Sequence, residues 1–229
     1  MTATIMLLIF FYWGRPGGYV ASGTSARVRD LTAGGSVDFV GAGAYLWWGL
    51  SSLVWRLAVP FAIGWWLIKM RPVEFGLRFR GIAKHFPMYG AMYLVMLPVL
   101  IWASSFQSFL NFYPFYDRAG AGGTAFWIYE VGYALQFVGV ESFFRGFLTF
   151  GLVRRFGLLA VPIMTVPYTM IHFSKPMPEA TAAIVAGLVL GFLALRSRSF
   201  VPGIALHVGV AVTMDLLVLA RLGQLGNII

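Results

Sequence analysis

The chain has 229 residues, 59% of them hydrophobic and 11% charged, against about 45–50% and about 25% in a soluble domain. With a mean hydropathy of +0.80, that excess cannot be hidden in one soluble core, and a lipid bilayer has to be the solvent for most of it. The absence of cysteine excludes disulfides, a thiol nucleophile and cysteine metal sites, and the net charge of +9, carried mainly in short loops, marks topology rather than a nucleic-acid surface.

Residues 1–38 read as a short N-terminal apolar helix and a loop. The apolar stretch Thr2 to Trp13 is short for a span and suits a tilted, interfacial or partly inserted helix. It has neither a basic leader nor an evident small-residue cleavage site, so a cleaved signal peptide is the weaker reading. Gly14 to Asp38 reads as loop.

Residues 39–229 read as one helical membrane domain. Six segments meet or approach the roughly 20 apolar residues that a spanning helix needs: Phe39 to Ile68, Phe86 to Ser105, Thr124 to Phe150, Leu158 to His172, Ala180 to Leu195 and Phe200 to Ala220. Trp47, Trp48, Trp65 and Trp66 suit interfacial belts. Pro60, Pro98, Pro162 and Pro167 each remove a helix donor, and Ala183, Gly187 and Gly191 form a stripe suited to close helix packing. Strands are not expected, because an unpaired edge cannot face lipid. The fold class is therefore all-α, a polytopic transmembrane helix bundle of six to seven spans.

Loop charges alternate along the chain. Lys69, Arg71, Arg78, Arg80 and Lys84 share one loop, Arg154 and Arg155 another, Arg196 and Arg198 a third. The intervening loops carry Arg118 with Asp117 and Lys175 with Glu179. The positive-inside rule puts the three basic loops in the cytoplasm. Arg15, Arg27 and Arg29 then lie outside, against the trend.

An ionisable residue in a span costs about 2.5–3.5 kcal/mol at the helix centre on insertion scales, which makes it a functional candidate by default. Arg56, Glu130, Glu141, Arg145, His207 and Asp215 lie within the segments, and His172 ends one. Glu141 and Arg145, four residues apart, share a helix face with the acid first. They are either a self-neutralising pair or a base held ionised by its arginine. Asp215, eight residues after His207, returns to nearly the same face about 12 Å along the axis. A carboxylate and imidazoles on three apolar helices are groups suited to activating water.

The sequence Glu141-Ser142-Phe143-Phe144-Arg145-Gly146, then Tyr168 to His172, then His207 resembles the motifs of the CAAX proteases and related bacteriocin-processing and immunity membrane proteins: EExxxR, FxxxH and HxxxN on successive late helices. The resemblance runs from roughly Arg71 to Ala220, with the motifs within 125–220. It departs from the family pattern at two places: Val140 stands where the family has its first Glu, usually given the base role, and Ala211 where it has the Asn. Asp215 or Gln136, each one turn away, would be the nearest polar substitutes.

By resemblance the reaction is hydrolysis of a peptide bond near a membrane-anchored, C-terminal segment. Glu141 would be the general base, Arg145 would fix its charge and orientation, His172 and His207 would position water or stabilise the oxyanion, and Asp215 would orient a histidine or water. No cofactor is expected; the alternative is a zinc ion held by His172, His207 and Glu141, although HExxH is absent. The partners are a membrane-anchored protein or peptide substrate and the bilayer, and the location is a bacterial or archaeal inner membrane. A prenylated tail, a sorting segment and a peptide precursor all fit as substrate. Rival readings are a catalytically inactive immunity or partner protein of the same fold, favoured by Val140 and Ala211, and a transporter, opposed by the lack of repeated halves. Serine and aspartyl intramembrane protease motifs are absent.

Overall fold

The computed structural model describes residues 2–32 and 38–228, Phe39 by its backbone alone, and among them every regular element is helical. Helix α1 (Thr2–Ile9) widens into a π-helical turn at Phe10–Gly14. Where the sequence predicts a loop, two short helices follow, α2 (Pro16–Ala21) and α3 (Thr24–Leu31). Pro16 opens α2 at a position whose N–H has no helical partner anyway. Gly23, at φ 73°, makes the left-handed break before α3. These residues read as loop formers and serve instead as helix boundaries. Residues 33–37 of the predicted loop lie outside the described residues.

Helix α4 (Phe39–Ser52) is capped by Asp38, whose Oδ1 accepts the Gly41 N–H at 2.9 Å. It runs through a π stretch, Leu53–Ala58, into α5 (Val59–Leu67). The π widening has a cause in Pro60, which cannot donate to the Arg56 carbonyl one turn back and would clash with it in a regular helix. Then come α6 (Phe86–Ala103), the single turn α7 (Gln107–Leu110) and α8 (Gly123–Glu141). A nine-residue π stretch, Ser142–Phe150, leads to α9 (Gly151–Phe156). The chain ends with α10 (Ala160–Met170), α11 (Met177–Ser197) and α12 (Val201–Arg221).

Among the described residues five helices are long and apolar enough to cross a membrane: Val40–Leu67, Ala83–Ala103, Gly123–Met170, Met177–Ser197 and Val201–Arg221. Two predicted segments fall together in the 48-residue run Gly123–Met170. Gly157, at φ +56°, breaks that run, and α10 packs back on the Ser142–Phe150 stretch. Pro162 lies in the first turn of α10, where a missing donor is harmless, whereas Pro167 is inside the helix. The protein is an all-α, polytopic membrane protein.

The helices divide between two compact units. The first comprises Met1–Ala58, Leu100–Gly139 and Ala211–Ile229. In it α4 and α8 meet backbone to backbone: a Cβ on Gly49 would stand 2.4 Å from the Gly132 carbonyl oxygen, and one on Gly132 2.4 Å from that of Tyr45. Tyr45, Trp48, Tyr129 and Tyr133 pack their rings beside this crossing. One end of the unit is closed by polar contacts from Asp38 to Tyr116 (2.8 Å) and Arg118 (3.5 Å). Arg56 and Glu130, both in this unit, are buried rather than turned to lipid, with the Arg56 guanidinium 3.7 Å from the Phe10 ring centre.

The second unit comprises Val59–Val99 and Val140–Val210. Its three basic loops meet at one end, as the charge alternation requires. Arg154 pairs with Glu74 at 2.6 Å, the Ser199 hydroxyl donates to the Arg78 carbonyl at 2.8 Å, and the Phe200 N–H donates to that of Gly76. The Arg71 N–H, with Arg154 beside it, holds the Glu74 carboxyl below its ordinary range. Phe61 stacks on Phe75 and meets Phe200 edge-on, and Phe61 and Phe200 lie against Gly146 of the π stretch. The small-residue stripe packs α11 on α10: a Cβ on Gly187 would stand 2.7 Å from Thr165, and one on Gly191 2.7 Å from Val161.

Candidate active site

Glu141 is the last residue of α8 and Arg145 lies in the π stretch that follows, so both side chains leave one helical face within a single turn. Both are fully buried, with Arg145 Nη1 3.1 Å from Glu141 Oε1. That separation is an ion pair without the alignment of a hydrogen bond. The guanidinium lies 3.9 Å from the Tyr168 ring centre, and its Nη2 donates to the Ala186 carbonyl of α11 at 3.4 Å. A buried ion pair has to recover its desolvation through such additional contacts.

His207, in α12, reaches the same carboxylate oxygen: its Nδ1 is 2.8 Å from Glu141 Oε1. An ionised carboxylate only accepts, so Nδ1 carries the proton. One oxygen of Glu141 is thus held by a guanidinium and an imidazole. The other, Oε2, is buried and has no hydrogen-bond partner among the described residues. It faces the backbone of Gly203, where an added Cβ would stand 3.1 Å away.

His172 follows α10 in a turn and is buried. Its Nδ1 is 2.8 Å from the Tyr168 carbonyl, which fixes the proton on Nδ1 and makes Nε2 the acceptor of the neutral ring. The Tyr168 ring is the common wall, with its centre 4.7 Å from that of His172 and 6.5 Å from that of His207. The structure therefore brings Glu141, Arg145 and His207 into direct contact, and His172 joins them around Tyr168.

Asp215 belongs to the first compact unit, where the Tyr129 hydroxyl donates to its Oδ2 at 2.5 Å. Val140 and Ala211, at the two positions that depart from the motifs, are buried apolar residues. The sequence reading missed two parts of the site. Tyr168 appeared only as the aromatic of a motif, and its position four residues before His172 was the available signal. Gly203 gave none, because nothing local marks a glycine that faces a carboxylate from another helix. Among the described residues, no group of three His, Cys, Asp or Glu side chains is placed to hold a metal ion, and the Glu141 oxygen nearest His207 is already engaged by two cationic or donor groups.

A buried carboxylate with one oxygen anchored and one unpartnered, beside two imidazoles, is suited to taking a proton from water. Residues 122–213 match the family model described as "Type II CAAX prenyl endopeptidase Rce1-like". Searches of curated proteins and of solved structures give no match. The match covers Glu141, Arg145, Tyr168, His172 and His207, and over residues 122–213 the chain is similar to the CAAX endopeptidase family that its motifs resemble.

Proposed function

We propose that this protein is an intramembrane endopeptidase that hydrolyses a peptide bond in or near a membrane-anchored segment, with Glu141 as the base that activates water. The observation that carries the proposal is the division of labour between the two oxygens of Glu141: Oε1 is held by Arg145 and His207, while Oε2 is buried and has no hydrogen-bond partner among the described residues. Arg145 keeps the carboxylate in the ionised form that can accept a proton.

In the proposed reaction a water donates to Oε2 and, through its second hydrogen, to His172 Nε2. Its oxygen attacks the peptide carbonyl carbon as its proton passes to Glu141. The tetrahedral oxyanion is stabilised by positive charge from the Arg145–His207 side. Glu141 then returns the proton to the amide nitrogen, the C–N bond breaks, and a carboxylic acid and an amine leave. The family's substrate class supports a membrane-embedded peptide with a C-terminal tail as substrate.

Glu141→Gln keeps the shape of the side chain and removes the base. It is expected to lower cleavage of a membrane-anchored reporter by about 10²–10⁴-fold, with the protein still in the membrane fraction. Normal cleavage by this variant overturns the mechanism. Val140 and Ala211 favour a second reading, a non-catalytic partner protein of the same fold. On that reading Glu141→Gln leaves the biological function intact while substitutions that disturb the fold abolish it.

A further inference from the structure

Arg56, in the π stretch between α4 and α5, is buried, with 5% of its surface exposed. Its Nε and Nη1 are sealed from solvent and have no hydrogen-bond partner among the described residues, and no carboxylate among them stands at ion-pair distance. Its guanidinium rests instead on the face of Phe10, 3.7 Å from the ring centre. A second cation stands nearby. Arg15, half-buried, holds its guanidinium 5.0 Å from the Phe11 ring centre, and its charge acts on Arg56. It too has no carboxylate partner among the described residues. A buried cation repelled by a neighbour costs more free energy than one aromatic face returns. The missing element is an anion.

The depth of the two arginines fits a lipid headgroup. Trp47 Nε1 donates to the Trp13 carbonyl at 2.9 Å, which sets the end of the π turn level with the tryptophans of α4, an interfacial belt. Phe10 precedes Trp13 by three residues, so the guanidinium on its ring lies about one turn, roughly 5 Å, nearer the middle of the span. Side chains lean toward the N-terminus of their own helix, here the Trp47 end, so Arg56 reaches toward the belt. Phe11, Tyr12 and Trp13 are exposed beside it and offer an apolar surface for acyl chains.

We propose that Arg56 and Arg15 form a binding site for the phosphate of an anionic phospholipid, which supplies the counter-charge that the described residues do not. Arginine suits this ligand because its planar fork donates parallel hydrogen bonds to phosphate oxygens. Two guanidinium groups favour a lipid of net negative charge over a zwitterionic one, whose own ammonium already balances its phosphate. The site lies in the first unit, shares no residue with the candidate active site and does not depend on the hydrolase reading.

Two measurements on the full chain in detergent test it. In the first, delipidated protein is titrated with dioleoylphosphatidylglycerol, and the tightest-bound lipid is followed by native mass spectrometry. Arg15→Gln, at a half-buried position, is expected to fold and to weaken that lipid about tenfold or more, and dioleoylphosphatidylcholine should bind the unaltered chain more weakly. Equal binding by variant and unaltered chain, or of the two lipids, overturns the proposal. The second measurement is thermal unfolding of Arg56→Met. Without lipid this variant has lost a buried, unpaired charge and should melt at or above the temperature of the unaltered chain. With saturating phosphatidylglycerol the unaltered chain should melt higher, because a ligand of the folded state stabilises it. If phosphatidylglycerol does not reverse the order, Arg56 is a structural partner of Phe10 and the proposal falls. If inorganic phosphate alone reverses it as fully, the site takes a soluble anion and the lipid assignment is overturned.

Discussion

Glu141 is fully buried and depends on its neighbours for its charge. Removing Arg145 leaves that charge without compensation, so Arg145→Ala is expected to destabilise the protein by about 3–5 kcal/mol. The double variant Glu141→Gln/Arg145→Met, which removes both charges, should recover most of the loss. Thermal unfolding in detergent distinguishes the two. Gly203 yields a second prediction at this scale. The carboxylate that a Cβ at Gly203 would crowd is fixed by Arg145 and His207 and cannot easily retreat. Gly203→Ala should therefore lower kcat by about tenfold or more and also cost about 1–3 kcal/mol of stability through overpacking, as activity and thermal unfolding in detergent would show. The sequence disclosed Glu141, Arg145 and the two histidines because charge in an apolar run is conspicuous. It could not disclose Gly203 or the role of Tyr168 as a wall, because these act across helices.

The helices depend on small, local devices. Asp38 caps α4 and also binds Tyr116 and Arg118. The Gly41 N–H, with Tyr116 and Arg118, holds its carboxyl below the ordinary range, while the same bond pushes the Tyr116 phenol, already raised by burial, to about 12. Since the folded value of Asp38 is depressed, its stabilisation is complete above the unfolded value near 3.9 and is lost as pH falls through the folded value. Asp38→Ala should cost about 1 kcal/mol at neutral pH and progressively less on acidification, as pH-resolved unfolding would show. The α4–α8 crossing relies on Gly49 and Gly132 facing backbone. Gly132→Ala would force a methyl group into the Tyr45 carbonyl and should cost about 1–3 kcal/mol, read from the same unfolding curves. At this scale the sequence identified the spans by their apolar length. It misjudged 14–32, where Pro16 and Gly23 bound helices, and it did not foresee the π stretches. Those arise where Pro60 deletes a donor and where the chain continues beyond Glu141, and hydropathy carries no trace of either.

At the scale of the whole molecule, topology follows from charge. The loops carrying Arg78, Arg154 and Arg198 converge on one end of the second unit through bonds among Glu74, Arg154, Gly76, Arg78, Ser199 and Phe200. Because the chain has no cysteine, single cysteines can be introduced without background. Those at Arg80 and Arg155 should be labelled by an impermeant maleimide from the cytoplasmic side, and one at Asp117 from the opposite side. Labelling of Arg80 and Asp117 positions from the same side would contradict the positive-inside assignment.

By itself the sequence determined that this is an all-helical, multi-span membrane protein with its basic loops on one side and a Glu–Arg pair and histidines inside its spans. The physical reason is that solvation acts residue by residue: apolar length, loop charge and the cost of buried charge are all written locally. The tertiary structure decided which of those groups meet. It placed His207 against the oxygen of Glu141 that Arg145 also holds, set His172 around Tyr168, assigned Asp215 to Tyr129 in the first unit, and left Oε2 facing Gly203. Such pairings depend on how helices distant in sequence pack, and a helix carries no local record of its neighbours.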